Sequence, residues 1–116
     1  MVDWSRISEL KSEIGEDGFA EVVEIFLDEM EEVIVRLKTA PDPTTYEVDL
    51  HFLKGGAWNL GFARFGAACG DGEKNAAAGK AADVNIGSLI DCYEQSKAEF
   101  LEGLGEGRSG DVSSAA

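Results

Sequence analysis

A long stretch of helical periodicity over residues 17–39 constrains the fold more than any other feature of this chain. Apolar residues recur there every three or four positions, and acidic residues fill many of the positions between them. This is the pattern of a helix with one buried face and one face in water. Such a helix is stable mainly when other helices cover its apolar stripe. The predicted stripe consists of Phe19, Val23, Phe26, Met30, Val33 and Leu37.

Turn-forming residues divide the neighbouring parts of the chain into further helices. A short helix over residues 3–14 has apolar residues at helical spacing and ends at Gly15. A proline pair ends the long helix. Asp42 as N-cap, with Pro43 at the first helical position, then begins a third helix that carries residues 46–60.

The remaining sequence predicts two more helices and a tail. One helix is expected over residues 62–78, although three interior glycines each weaken it by roughly 1 kcal/mol relative to alanine. The last helix is expected over residues 85–104, and residues 105–116 are predicted to form a disordered tail. No segment alternates apolar and polar residues as a strand does. We therefore predict one all-α domain over residues 1–104, an antiparallel four-helix bundle with a short extra N-terminal helix.

Composition excludes several classes of function. The net charge of −13 on 116 residues repels nucleic acid and anionic membranes, so neither is expected as a partner. No apolar run reaches the roughly 18 residues of a membrane span, and no secretory signal is evident, which predicts a cytoplasmic protein. The single histidine and two cysteines, Cys69 and Cys92, lack the spacing of a metal site or a disulfide framework. We interpret both cysteines as small core residues and expect no metal site.

The single histidine, His51, lies off the buried face of the predicted third helix. At about 100° per residue, it points roughly 140° away from the centre of the apolar stripe. Lys54 and Gly55, three and four positions later, are its surface neighbours. The lysine supplies a positive charge suited to phosphate oxygens, and the glycine removes a side chain that would crowd the ring. The stripe that defines the buried face consists of Tyr46, Leu50, Leu53, Ala57 and Leu60.

Apolar residues are also predicted around the histidine. Val48, Trp58 and Phe62 project from the face away from the core, and a clustered apolar patch on a protein surface usually marks a contact with a partner. We assign these three residues, with Ile7 of the first helix, to a partner-binding surface. The alternative for Trp58 and Phe62 is that they pack under the first helix or under the loop before the fourth.

The segment 51–61 resembles the motif of histidine-containing phosphotransfer (HPt) domains. It reads His-Phe-Leu-Lys-Gly-Gly-Ala-Trp-Asn-Leu-Gly, and the family motif is His, any residue, Leu, Lys, Gly, several small or apolar residues, then Leu-Gly. The family fold is a four-helix bundle with the histidine on the helix after a long acidic one, and it would cover about residues 3–104. Five positions match at set spacing, namely His51, Leu53, Lys54, Gly55 and Gly61.

The resemblance implies a role in a phosphorelay. A phosphorylated receiver domain, for example on a hybrid histidine kinase, would dock on the His51 face. His51 would take the phosphoryl group through a ring nitrogen, Nε2, and hold it for a second receiver domain. The receiver would supply Mg²⁺, so that the chain needs no cofactor of its own, and family domains of this type are monomers without kinase activity. The alternative is a non-catalytic helical adaptor that binds receiver domains without phosphotransfer.

One position departs from the family pattern. Many members place a glutamine on the following helix against the other ring nitrogen, and the matching residue here is Glu73. A carboxylate there would accept the Nδ1 hydrogen and orient the ring, but it would also lie near a phosphoryl group. The register of the glycine-rich helix is open at this point. Glu73 is therefore either a ring-orienting group or a solvated surface acid.

Overall fold

The computed structural model describes residues 2–115, with side chains described over residues 2–104. Within these bounds the chain is an all-α bundle, as predicted, and its most extensive contact between helices is that of α2 (Tyr46–Asn59) with α3 (Ala63–Ala77). Residues 105–116, which the sequence predicts as a disordered tail, lie outside the part described at side-chain level, and the backbone of α4 (Ile86–Ala115) runs as a helix through residue 115. The elements in chain order are α1 (Trp4–Thr39), a 3-10 turn (Pro43–Thr45), α2 (Tyr46–Asn59), α3 (Ala63–Ala77), a second 3-10 turn (Ala81–Asp83) and α4 (Ile86–Ala115).

Helix α1 consists of two segments that meet at Gly15. The backbone there has φ 77° and ψ 164°, a conformation that is open to glycine and closed to other residues. The short N-terminal segment is capped by Asp3, whose carboxylate accepts hydrogen bonds from the backbone N–H groups of Ser5 and Arg6. The predicted short helix therefore ends at the predicted residue, and the long acidic helix follows after a single non-helical position.

The buried faces follow the predicted helical phase closely. Most residues of the predicted α1 stripe are buried in the core. Val33 of that stripe is only half-buried, and its neighbour Ile34 is buried instead. All five predicted residues of the α2 stripe are buried. Asp42 caps a 3-10 turn that precedes α2 rather than α2 itself, because its side chain accepts from the N–H of Thr44. Cys69 is buried as expected, and Cys92 is partly buried.

A bidentate ion pair joins the end of α1 to the first turns of α2. The Arg36 guanidinium donates to both carboxylate oxygens of Asp49, at 2.7 and 2.8 Å, and the Thr45 hydroxyl donates to the same carboxylate. Asp49 is buried, whereas the Arg36 side chain is about half exposed. The Arg36 hydrogen bonds hold the pKa of Asp49 below its usual value of 3.8. This pair fixes the helix that carries His51 against the long helix.

Removal of Arg36 is expected to destabilise the fold more than neutralisation of Asp49. Arg36→Met leaves a buried carboxylate without its counter-ion and should cost about 2 kcal/mol of unfolding free energy. Asp49→Asn leaves a guanidinium that still reaches water, and it should cost about 1 kcal/mol. Urea unfolding of both variants at neutral pH measures the difference, and equal losses would contradict the assignment of the cost to the stranded carboxylate.

The pH dependence of the same pair has a defined sign. Because the pKa of Asp49 is lowered in the folded state, its contribution to stability is fully present above the ordinary value of 3.8 and is lost as the pH falls through the lower folded value. The difference in unfolding free energy between the wild-type protein and Arg36→Met should therefore become smaller as the pH falls below the folded-state pKa of Asp49. A difference that widens on acidification would show that Asp49 is not the responsible group.

Candidate functional site

His51 lies in the second turn of α2, on the side away from the bundle core. Its side chain is 71% exposed, which confirms the orientation predicted from helical phase. Nδ1 is engaged by a residue of the neighbouring helix. Nε2 makes no hydrogen bond within the described part of the chain. The ring is therefore held at one nitrogen and open at the other.

Glu73 of α3 contacts both His51 and Lys54 of the predicted site. Its Oε2 lies 2.8 Å from His51 Nδ1, and its Oε1 lies 2.6 Å from the Lys54 ammonium nitrogen. The sequence left open whether this residue is a ring-orienting group or a solvated acid, and the structure has the ring-orienting geometry. The Lys54 ammonium, and then His51, hold the pKa of Glu73 below its usual range. An ionised carboxylate only accepts hydrogen bonds, so Nδ1 carries the hydrogen.

The glycines of α3 bring that helix close enough for this contact. A Cβ at Gly66 would lie 3.0 Å from the Trp58 ring, and one at Gly72 would lie 2.7 Å from the Cδ1 atom of Leu50. Side chains of α2 thus lie directly across the glycine positions of α3. The same glycines that lower its helix propensity allow the close approach of α2, and the contact between Glu73 and His51 depends on that approach.

Gly55 leaves open space beside the imidazole. A Cβ built at this position meets no atom within 4 Å, whereas one at the next residue, Gly56, would lie 2.8 Å from the Met30 sulfur in the core. The two adjacent glycines therefore differ in kind. Gly55 has no side chain that would crowd the surface next to His51, as the spacing predicts. Gly56 allows α1 to pack on α2.

Three apolar side chains of α2 lie exposed on the helix that carries the histidine. Val48 is 74% exposed and Trp58 is about half exposed, as predicted for a partner surface. Phe52 is 42% exposed and was missed in the sequence analysis. Its spacing of four from Val48 places the two side chains on one helical face, and this spacing was the available signal. We call Val48, Phe52 and Trp58 the α2 apolar surface.

Two residues assigned to the partner surface are buried instead, and that prediction is wrong for them. Phe62 is completely buried and packs edge-on against Phe100, with ring centroids 5.4 Å apart. Its predicted direction extended the phase of α2 past Gly61, where φ of 72° ends the helix. Ile7 is also buried, because the first segment of α1 folds back over the α2–α3 connection. Neither side chain is available to a partner.

Comparison with protein-family models supports the motif. The model of the Hpt domain matches residues 21–99, a range that includes His51, Lys54 and Glu73. The chain belongs to the Hpt domain family. Hpt domains take part in phosphotransfer in two-component signalling, where they interact with receiver domains and kinases. Comparisons with curated proteins and with solved structures find no match. None of the helices in the described part of this Hpt chain is long and apolar enough to cross a membrane.

Proposed function

We propose that this Hpt chain is a phosphorelay intermediate, with His51 as its phosphoryl acceptor. The observation that supports this most directly is the state of the imidazole, which is exposed, held at Nδ1 by Glu73 and free at Nε2. Such a ring presents a lone pair on Nε2 to an incoming electrophile. His51 is also the residue at the histidine position of the family motif.

The transfer step follows from these groups. The Nε2 lone pair attacks the phosphorus of a receiver aspartyl phosphate, the P–O bond to the aspartate breaks, and the aspartate leaves as a carboxylate. The receiver domain supplies Mg²⁺ for this exchange, and Lys54 offers a positive charge to the phosphoryl oxygens. Transfer to a second receiver is the same step in reverse. The chain acts in the cytoplasm as a monomer and needs no cofactor of its own.

The α2 apolar surface provides the docking area for receiver domains. Its side chains flank the helix position of His51, and Gly55 leaves the ring accessible from the same side. Exposed apolar side chains beside a reactive polar group are typical of a surface that a partner covers. A receiver domain, including one on a hybrid histidine kinase, would dock here with its aspartyl phosphate over Nε2.

A non-catalytic adaptor is the second candidate, because the α2 apolar surface could bind a receiver whether or not His51 reacts. Incubation with a phosphorylated receiver domain separates the two functions. A phosphorelay intermediate acquires label that is labile in acid and stable in alkali, as expected for phosphohistidine. An adaptor binds the receiver and leaves the phosphoryl group on it. Binding without transfer to this chain would overturn the proposed function.

Val48→Asp is expected to slow phosphotransfer by about tenfold in kcat/KM, because it places a charge on the docking area. Val35→Asp is the matched control, since this valine is 54% exposed on α1 and lines a groove between α1 and α4 that includes no residue of α2. Phosphotransfer rates at several receiver concentrations give the comparison. If both valine variants slow transfer equally, the α2 apolar surface is not the docking area.

A further inference from the structure

The carboxylate of Glu73 has a chemical consequence for the phosphorylated state. Its Oε2 accepts a hydrogen bond from Nδ1 at 2.8 Å, while the other oxygen pairs with Lys54. A glutamine could accept the same hydrogen bond through its amide oxygen but would add no negative charge. Glu73 therefore differs from a glutamine because it places a negative charge next to the imidazole ring.

The ring charge decides whether a phosphoryl group leaves Nε2 easily. When the Nε2 lone pair bonds to phosphorus, a ring that keeps its Nδ1 hydrogen becomes a cation. Cleavage of the N–P bond returns the electron pair to Nε2, and the leaving group is then neutral imidazole. If Nδ1 has lost its proton, the leaving group is an imidazolide anion, which is far poorer. This difference explains why phosphohistidine is labile in acid and stable in alkali.

We propose that Glu73 is a positioning residue that retains the proton on Nδ1 of phosphorylated His51, so that the phosphoryl group stays transferable at neutral and mildly alkaline pH. This inference rests on the proposed function. The carboxylate stabilises the cationic ring by charge, as a carboxylate does beside a catalytic imidazole in hydrolases. Once a phosphoryl group is present, the Lys54 ammonium is free to turn toward its oxygens, and Glu73 stays on Nδ1.

The other ionisable groups near the ring do not supply this effect. On α2, Lys54 carries a positive charge that opposes protonation of the ring, and Glu47 is an exposed acid one turn before His51. On α3, burial raises the pKa of the Cys69 thiol to about 12, so that this group stays uncharged over the relevant range. Among the described residues, only Glu73 hydrogen-bonds the imidazole.

The test follows the loss of the phosphoryl group with no partner protein present. The wild-type chain and Glu73→Gln are loaded with phosphoramidate, a small phosphoryl donor, and hydrolysis is followed by ³¹P NMR across pH. The rate of phosphohistidine hydrolysis should fall as the pH rises, and we expect this fall to occur about one pH unit lower in Glu73→Gln than in the wild-type chain. The variant should then hydrolyse about tenfold more slowly on the alkaline side and at the wild-type rate in mild acid. Asp71→Asn, the same change at an exposed position of α3, should match the wild-type profile.

The outcomes separate this inference from the proposed function. If neither phosphoramidate nor a phosphorylated receiver forms phosphohistidine on the wild-type chain, the proposed function fails. If phosphohistidine forms and the Glu73→Gln profile coincides with the wild-type profile, the role of Glu73 is overturned and the proposed function stands.

A second measurement needs no variant. The chain has one histidine, so ¹⁵N spectra of the unphosphorylated wild-type protein report on His51 alone. A neutral ring with its hydrogen on Nδ1 supports the role of Glu73, and one with its hydrogen on Nε2 overturns it.

Discussion

His51→Gln is expected to abolish phosphoryl acceptance, with labelling by a phosphorylated receiver reduced to background. Glutamine fills similar space but has no nucleophilic ring nitrogen. The fold should be unaffected, because the side chain is largely exposed and surface substitutions usually change stability by less than about 0.5 kcal/mol. The measurement is transfer of labelled phosphate from a phosphorylated receiver domain to the chain. Thermal melts of the wild-type chain and of His51→Gln check that the fold is unchanged.

The composition of the chain makes this experiment decisive. Because His51 is the single histidine, phosphohistidine on the wild-type protein has one possible location. Label on a serine, threonine or carboxylate would differ in its stability to acid and alkali. If His51→Gln still accepts acid-labile, alkali-stable phosphate, the assignment of the acceptor is wrong. If the variant binds the receiver with unchanged affinity, docking and chemistry reside in separable groups.

Gly61→Ala is expected to cost about 3 kcal/mol of unfolding free energy, the largest stability effect that we predict. Gly61 has φ of 72°, which alone disfavours a residue with a Cβ by about 1 kcal/mol. A Cβ there would also lie 2.6 Å from the Asp3 carbonyl oxygen. This oxygen belongs to the backbone, and the Asp3 N–H donates a hydrogen bond to the Gly61 carbonyl oxygen at 2.6 Å. The backbone at Asp3 and the backbone at Gly61 therefore cannot move apart without loss of this hydrogen bond.

Gly79→Ala is the matched control for this effect. Gly79 has φ of 80°, close to the value at Gly61, but a Cβ there would meet no atom within 4 Å. Its substitution should cost only the backbone strain of about 1 kcal/mol. Urea unfolding of both variants gives the difference, which isolates the close approach between Asp3 and Gly61. Equal costs would show that the N-terminal segment is not pinned to the α2–α3 connection.

Local sequence patterns predicted the helices and the orientation of the histidine. The phase of α2 follows from residues within one continuous helix, so the burial of the five residues in its predicted stripe and the exposure of His51 were accessible from periodicity alone. The end of the first helix at Gly15 was accessible for a similar reason, because the signal is a residue type at a boundary. The motif from His51 to Gly61 indicated the family, and the family model agrees.

Contacts between helices were beyond the reach of these patterns. The phase of α2 does not continue past Gly61, where the positive φ turns the chain, and Phe62 was therefore assigned to the surface while it lies in the core. Ile7 was misassigned because the first segment of α1 folds back onto a connection that is distant in sequence.

The amino-acid sequence by itself determined the all-α architecture, the exposed face of α2 and the placement of His51, Lys54 and Gly55 on it. All of these depend on the geometry of a single helix. Only the tertiary structure decided the partner of the imidazole. The contact between Glu73 and His51 depends on how closely α3 approaches α2 and in which register, and Gly66 and Gly72 allow that approach because side chains of α2 lie directly across them.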